Sequence, residues 1–426
     1  MPFDLKTCAR PNILALEPYR CARDDYKDDG TNVLLDANEN AYGPGLALSS
    51  DGKLANADPQ SDVEVDLLGL NRYPDPHQVP LKQLLCNLRN TKTHTQKTLT
   101  PDNLFVGVGS DEAIDALLRA FCTPGKDKIL TCPPTYGMYS VSAQTNDIQV
   151  VKVPLDATNS FQPVPDQIAA TLSADPHIKL VYLCSPGNPT ANLIHKDVIQ
   201  QVLSHPTWNG VVVLDEAYID FAPENSSLAE WVLEHPNLVV MQTLSKAFGL
   251  AGIRLGAAFT SPEIARLLNS LKAPYNISNP TSQIATQALL PRNLAVMHQN
   301  RERIIAQRER MVAEMPAIPG VGRFLGGMES NFLLVEMCDA QGAPSNEVAL
   351  QVYERLAETR GVVVRFRGKE TGCFGCLRIT VGTEQEVSRF LVELRGVLEE
   401  IHQGKVSRPS ERVERKKEGR ANGVIA

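Results

Sequence analysis

Between about residue 100 and residue 260 the chain repeats one pattern: a short β-branched apolar run, a few turn residues, then a longer amphipathic segment. The runs are NLFVGVG, KILTC, IQVVKVP, KLVYLCS, GVVVLDE, NLVVMQT and LGAAFT. Most are apolar throughout. A strand with one face in water alternates polar and apolar residues, so uninterrupted runs predict strands covered by helices on both faces. The expected fold is therefore α/β, with a mainly parallel sheet of about seven strands between helices. In DEAIDALLRAF, Ile114, Leu117, Leu118 and Phe121 fall at i, i+3, i+4 and i+7, the stripe of a helix lying on such a sheet.

The texture changes after about residue 285. HQNRERIIAQRERMVAEM reads as one helix, NFLLVEM as a strand, NEVALQVYERLAE as a helix, and GVVVRF and CLRITVG as short strands of a smaller α+β domain. With 426 residues, the chain is too long for one ordinary core. The expected division is an N-terminal arm with part of the small domain (1–75), a large domain (76–290), a small C-terminal domain (291–403) and a charged tail (404–426). That tail carries an excess of Lys and Arg and has no apolar period, as a solvated segment would.

Hydrophobic residues at 43% and charged residues at 21% exclude general disorder, and a net charge of -7 argues against bulk nucleic-acid binding. The nine cysteines lack the dense spacing of a secreted disulfide framework. Cys373 and Cys376 form one Cys-x-x-Cys without the second ligand pair that zinc requires, so no metal is expected. There is no apolar run long enough to span a bilayer, and the start, MPFDLKTCARPN, lacks the apolar core of a signal peptide. A cytoplasmic location is expected.

In a parallel α/β sheet, ligands bind beyond the carboxyl ends of the strands, and five runs here end in polar residues. Ser110 and Asp111 open a helix, where they serve either as a plain N-cap or as part of a phosphate site. CPPTYGMY presents Tyr136 on a turn, and SPGNPT sets Asn188 among two prolines and a glycine. Asp215 and Glu216 end GVVVL, where a buried carboxylate needs a partner or else caps the next helix. Ser245 and Lys246 follow NLVVMQTL, and Arg254 lies eight residues beyond Lys246. A lysine withdrawn from water becomes a nucleophilic amine, whereas one that snorkels to solvent does not. A stacking ring, an amide, an acid, an amine and a phosphate site at one edge are together what pyridoxal phosphate needs.

SPGNPT, VLDEAYIDF and TLSKAFGLAGIRLG, in this order, resemble the fold-type I aminotransferases, the aspartate aminotransferase superfamily, over roughly residues 10 to 400. Within it, LLDANENAYGP, NRYPDP, VGVGSDEAID, GGMESNFLLV and GCLRITVGT are similar to the histidinol-phosphate aminotransferase family. The resemblance implies that Lys246 forms the Schiff base with pyridoxal 5'-phosphate and moves the substrate proton. It implies that Asp215 pairs with the pyridine nitrogen, that Asn188 and Tyr218 bond the phenolic oxygen, and that Tyr136 stacks on the ring. The phosphate would be held by the backbone at Ser110 and Asp111, by Ser245 and Arg254, and by Tyr73 from a neighbouring subunit, which implies a homodimer with shared sites. Arg365 and Arg378 would bind substrate carboxylate and phosphate with Tyr42, and Asn331 would line the site, while Arg367, on the other strand face, is expected to be solvated. The implied reaction converts histidinol phosphate and 2-oxoglutarate into imidazole-acetol phosphate and glutamate, in histidine biosynthesis. The alternatives are an aromatic amino-acid aminotransferase or a phosphothreonine decarboxylase of the same fold and, more remotely, a regulator that binds the cofactor without turnover.

Overall fold

The computed structural model describes residues 5, 9–16, 30–48 and 68–404, so the expected tail beyond Gly404 lies outside the described residues. The chain forms two compact units. Among the described residues, one is drawn from 5, 9–16, 42–48, 68–302 and 327–330, the other from 30–41, 303–326 and 331–404.

All seven apolar runs of the first unit become strands of one sheet: β1 (Leu104–Val108), β2 (Lys128–Thr131), β3 (Gln149–Lys152), β4 (Ile178–Cys184), β5 (Val211–Asp215), β6 (Leu238–Thr243) and β7 (Leu255–Thr260). Their order is β1-β7-β6-β5-β4-β2-β3, and every neighbouring pair is parallel except the two that β7 makes, with β1 and β6. The apolar runs are buried as expected of a sheet covered on both faces: Phe105, Val106, Leu130, Val181, Val213 and Val240 are all inaccessible to solvent. The exception is β3, an edge strand whose residues are exposed or half-buried, whereas the other edge strand, β1, keeps Leu104, Phe105, Val106 and Gly107 buried.

Helix α1 (Val79–Arg89) precedes the sheet, α2 (Gly109–Phe121) follows β1, and α3 (Met138–Thr145) follows β2. On α2 the residues Ile114, Leu117 and Leu118 are fully buried in the core and Phe121 packs at its margin, as the periodicity requires. Each such side chain contributes about 2 kcal/mol through its removal from water.

In the second unit a four-stranded antiparallel sheet has the order β10-β11-β9-β8, from β8 (Val321–Leu325), β9 (Phe332–Met337), β10 (Arg365–Phe366) and β11 (Cys376–Thr380). GVVVRF is not one strand. Val362–Val363 pairs in parallel with Val33–Leu34, while Arg365–Phe366 pairs with β11, so the run divides its backbone bonds between two sheets. The helix Asn346–Thr359 is capped by the Ser345 hydroxyl. The helix Glu384–His402, not foreseen, opens on a Thr383/Glu386 capping box. The helix expected in HQNRERIIAQRERMVAEM is present and starts earlier, at Pro291, running to Glu314.

Candidate active site

Asp215 is the last residue of β5 and is buried. Its Oδ1 accepts the Ala217 amide at 3.1 Å and its Oδ2 accepts the Tyr139 hydroxyl at 2.6 Å. Burial pushes the carboxyl up to about 6; the Tyr139 and Ala217 donors and the Lys246 charge oppose the rise, and the Asp111 charge adds to it. Lys246 is half-buried on the loop after β6, with its Nζ 5.8 Å from the centroid of the buried Tyr218 ring. The structure thus brings an amine, a buried acid and a phenol to one edge.

The same edge holds a corner where a helix start meets an arginine. Helix α2 begins at Gly109 after Val108, a residue with no capping side chain, so its first amides rely on other acceptors. Arg254 closes the loop before β7: its carbonyl accepts the Gly109 amide at 3.0 Å and its Nη2 lies 3.4 Å from Asp111 Oδ2. This close approach needs glycine at 256, where a Cβ would stand 2.4 Å from Gly109 C and Ser110 N. Ser245 is buried beside Thr243, whose hydroxyl donates to Ser245 Oγ at 2.9 Å and accepts the Ser245 amide at 3.1 Å. Two candidate phosphate donors, Ser110 and Arg254, therefore meet through backbone packing rather than sequence proximity.

Tyr136 donates its hydroxyl to Asp111 Oδ1 at 3.2 Å, and burial raises its phenol well above the ordinary value. Asn188 is buried in the SPGNPT loop, which is closed by Gly187 and Asn192 backbone bonds and contains cis bonds before Pro186 and Pro189. Tyr42 precedes a segment that packs on the lysine loop. The Gly45 amide bonds Phe248 O at 2.8 Å, and Gly249, at φ +64, lies so near that a Cβ would meet Gly43 O at 2.2 Å. Tyr73 stands apart from these groups. It is 81% exposed and stacks on Tyr275, with ring centroids 4.6 Å apart.

Within the second unit, Arg365 and Arg378 are direct partners across the antiparallel pair β10–β11 and so share one sheet face. Arg378 is buried, donates to the Asp36 carbonyl and lies over the Phe332 ring at 5.5 Å. Asn331 is fully buried, and its amide donates to the Asn38 and Glu39 carbonyls at 3.1 and 3.2 Å, holding the ANEN segment. Arg367 corrects an expectation. Its side chain is only 22% exposed and pairs with Glu370 at 2.6 Å, because the turn after β10 brings that carboxylate alongside.

Two groups at the large sheet's edge carry little signal in the sequence. Tyr139 looks like any core aromatic, and only its position three residues after Tyr136, one helical turn on, hints that both face one site. Glu216 is neither a helix cap nor part of the ligand face. It is buried and accepts Ser227 Oγ at 2.6 Å, the Leu228 amide at 2.7 Å and Gln242 Nε2 at 2.8 Å. Burial raises its carboxyl, and these donors together with the Arg89 charge oppose the rise. Arg89 completes the network, donating to Gln242 Oε1 at 2.8 Å and pairing with Asp220 at 2.8 Å. Among the described residues, no group of three or more His, Cys, Asp or Glu is arranged to hold a metal ion.

Residues 31–394 match the family model "Aminotransferase class I and II". The chain is 52% identical over 402 residues to a histidinol-phosphate aminotransferase of Schizosaccharomyces pombe, covering 94% of this chain and 99% of that protein. It is 48% identical to the protein of the same name from Saccharomyces cerevisiae, over 91% and 95% of the two chains. Its fold is that of the Sinorhizobium meliloti histidinol-phosphate aminotransferase solved in complex with pyridoxal-5'-phosphate, with TM-score 0.76, 21% identity and coverage of 93% and 98%. A Thermus thermophilus aspartate aminotransferase with maleate shares the fold at TM-score 0.72 and 19% identity, over 92% and 99%. The chain belongs to the class I and II aminotransferases and, within them, to the histidinol-phosphate aminotransferase family.

Proposed function

We propose that the protein is a pyridoxal-phosphate-dependent transaminase that converts histidinol phosphate and 2-oxoglutarate into imidazole-acetol phosphate and glutamate, in histidine biosynthesis. The observation that carries this reading is the meeting of Lys246, the buried Asp215 and the Arg254 corner at one sheet edge, in a chain half-identical along nearly its whole length to proteins named for that substrate. The donor set fits the cofactor: an amine for the aldehyde carbon, an acid for the ring nitrogen, and a cation beside a helix start for the phosphate.

When bound, pyridoxal phosphate supplies an electron-accepting ring that stabilises negative charge at the substrate α-carbon. Lys246 would hold the aldehyde carbon and would serve as the base that moves the substrate α-proton. Asp215 would keep the ring nitrogen protonated, Asn188 and Tyr218 would donate to the phenolic oxygen, and Tyr136 would stack on the ring. The backbone at Ser110 and Asp111, with Ser245 and Arg254, would hold the phosphate. Arg365 and Arg378, on one face of their sheet, suit an anion that is a phosphate in one half-reaction and a dicarboxylate in the other. Tyr42 would add to the substrate contacts, and Asn331 would line the site. The exposure of Tyr73 supports its reaching the cofactor phosphate of a second subunit, so the working form is a homodimer with shared sites. Its partners are then small molecules and a second copy of the chain. A reducing, cytoplasmic setting accords with seven free cysteines among the described residues.

The test offers the wild-type enzyme histidinol phosphate or phenylalanine, each with 2-oxoglutarate, and follows glutamate. Histidinol phosphate is expected to be preferred by orders of magnitude in kcat/KM, and a strong preference for phenylalanine would sink the substrate assignment. In Lys246→Ala, turnover and the cofactor's protein-bound absorption band are both expected to disappear.

A further inference from the structure

Tyr139 is fully buried near the start of α3, and its ring is fixed on two sides. It stacks on Tyr182, with centroids 4.6 Å apart and planes at 23°, and meets Tyr136 edge-on at 5.6 Å and 85°. So held, its hydroxyl reaches Asp215 Oδ2 at 2.6 Å, while the other carboxylate oxygen takes the Ala217 amide. Tyr139 comes from α3, whereas Asp215 comes from β5, so a different element aims the acid. The charged or titratable groups that act on Asp215 from the elements around it are few. Lys246 from the loop after β6 favours its ionised form and Asp111 from α2 opposes it, while Tyr139, Tyr136, Tyr182 and Cys184 stay neutral with acidities suppressed by burial.

We propose that Tyr139 is a positioning residue for the transamination: its hydroxyl holds the Asp215 carboxylate in one rotamer and in its ionised form, ready to pair with the cofactor's ring nitrogen. The proposal rests on the functional reading above. Its physical basis is a competition. Burial alone drives a carboxyl toward its neutral form, and a short charge-assisted hydrogen bond stabilises the anion. With folding already raising Asp215 to about 6, loss of the Tyr139 donor brings its midpoint to neutral pH, where a protonated acid can no longer hold a proton on the ring.

Tyr139→Phe removes the hydroxyl and keeps the ring. In the ligand-free protein, the Asp215 carboxyl is followed by infrared difference spectroscopy against pH, with its band assigned by loss in Asp215→Asn. The midpoint is expected to rise by about one pH unit in Tyr139→Phe. In the cofactor-loaded enzyme, kcat is expected to fall about twofold at pH 7 and about tenfold near pH 5, with KM for histidinol phosphate changed less than about twofold, so that the deficit shrinks as pH rises. A merely structural Tyr139 would lower the melting temperature and leave the midpoint in place. An unmoved midpoint, or a kcat deficit equal at all pH values, overturns the proposal. Should Tyr139→Phe fail to fold, 3,5-difluorotyrosine at 139 gives the opposite sign: a stronger donor must lower the midpoint, and a rise overturns the proposal. Full kcat in Asp215→Asn would instead remove the functional reading while leaving the infrared result intact.

Discussion

Asp215 shows what a single residue costs the empty protein. A carboxyl whose folded value lies above its unfolded value is favoured in the protonated state, so its ionisation opposes folding. With 3.8 as the reference value and about 6 in the folded chain, the penalty appears as pH rises past about 4 and is complete above about 6. The two-unit difference corresponds to about 3 kcal/mol. Ligand-free Asp215→Asn is therefore expected to be more stable than the wild type by up to that amount at pH 8, with the gap closing as pH falls toward 4. Chemical denaturation at the two pH values measures it, and a gap independent of pH would contradict the assignment. If pyridoxal phosphate pairs with this charge as proposed, it should stabilise the wild type more than the variant. None of this is legible in VLDEAYIDF, where two adjacent acids look alike. Only burial and partners separate Asp215, facing the ligand edge, from Glu216, enclosed by Ser227, Leu228 and Gln242.

At the scale of elements, the Glu216 network ties together the strands that carry the acid and the amine. Gln242 lies on β6, four residues before Lys246, and bridges Glu216 at the end of β5 to Arg89 of α1. Gln242→Leu preserves volume but leaves a buried carboxylate and a guanidinium each short of a partner. We expect a loss of about 3 kcal/mol, read as a lower urea midpoint, and a wild-type midpoint would show the network to be dispensable. Much of this level could be read from the chain. The seven apolar runs gave their strands because a parallel sheet buried on both faces has no other composition available. Their spatial order, and the reversal of β7, were not readable, since hydrogen-bond partners far apart in sequence leave no local trace. The same limit hid Tyr139, whose contact with Asp215 spans 76 positions. It also hid the splitting of GVVVRF, because Val362 and Arg365 differ only in what pairs with them.

For the whole molecule, a shared site makes a prediction that a self-sufficient one does not. If Tyr73 serves the neighbouring subunit, chains carrying Lys246→Ala and chains carrying Tyr73→Ala should complement when refolded together. Each mixed dimer then holds one intact site, and random pairing restores about a quarter of wild-type activity. Activity equal to the average of the two parents would place Tyr73 in its own subunit's site or outside any site. The sequence pointed to Tyr73 through its motif, but a lone tyrosine reads equally as surface or core packing, and its exposure beside Tyr275 removes only the core reading.

The antiparallel course of β7 has one more consequence. Because β6 and β7 run in opposite directions, the chain leaves the sheet and re-enters it at the same edge, and the segment Leu244–Arg254 carries both Lys246 and Arg254. A helical crossover would have carried it away to the far edge. If Lys246 and Arg254 hold the two ends of one ligand as proposed, the segment would act as a calliper whose two cationic jaws are set by the length of the loop. One glycine inserted after Phe248 should open both jaws together, weakening retention of the cofactor and the reactivity of the lysine in a single step, as dialysis and borohydride trapping would show. The gauge of the proposed site would then be written in a number of residues, the length of the loop between β6 and β7.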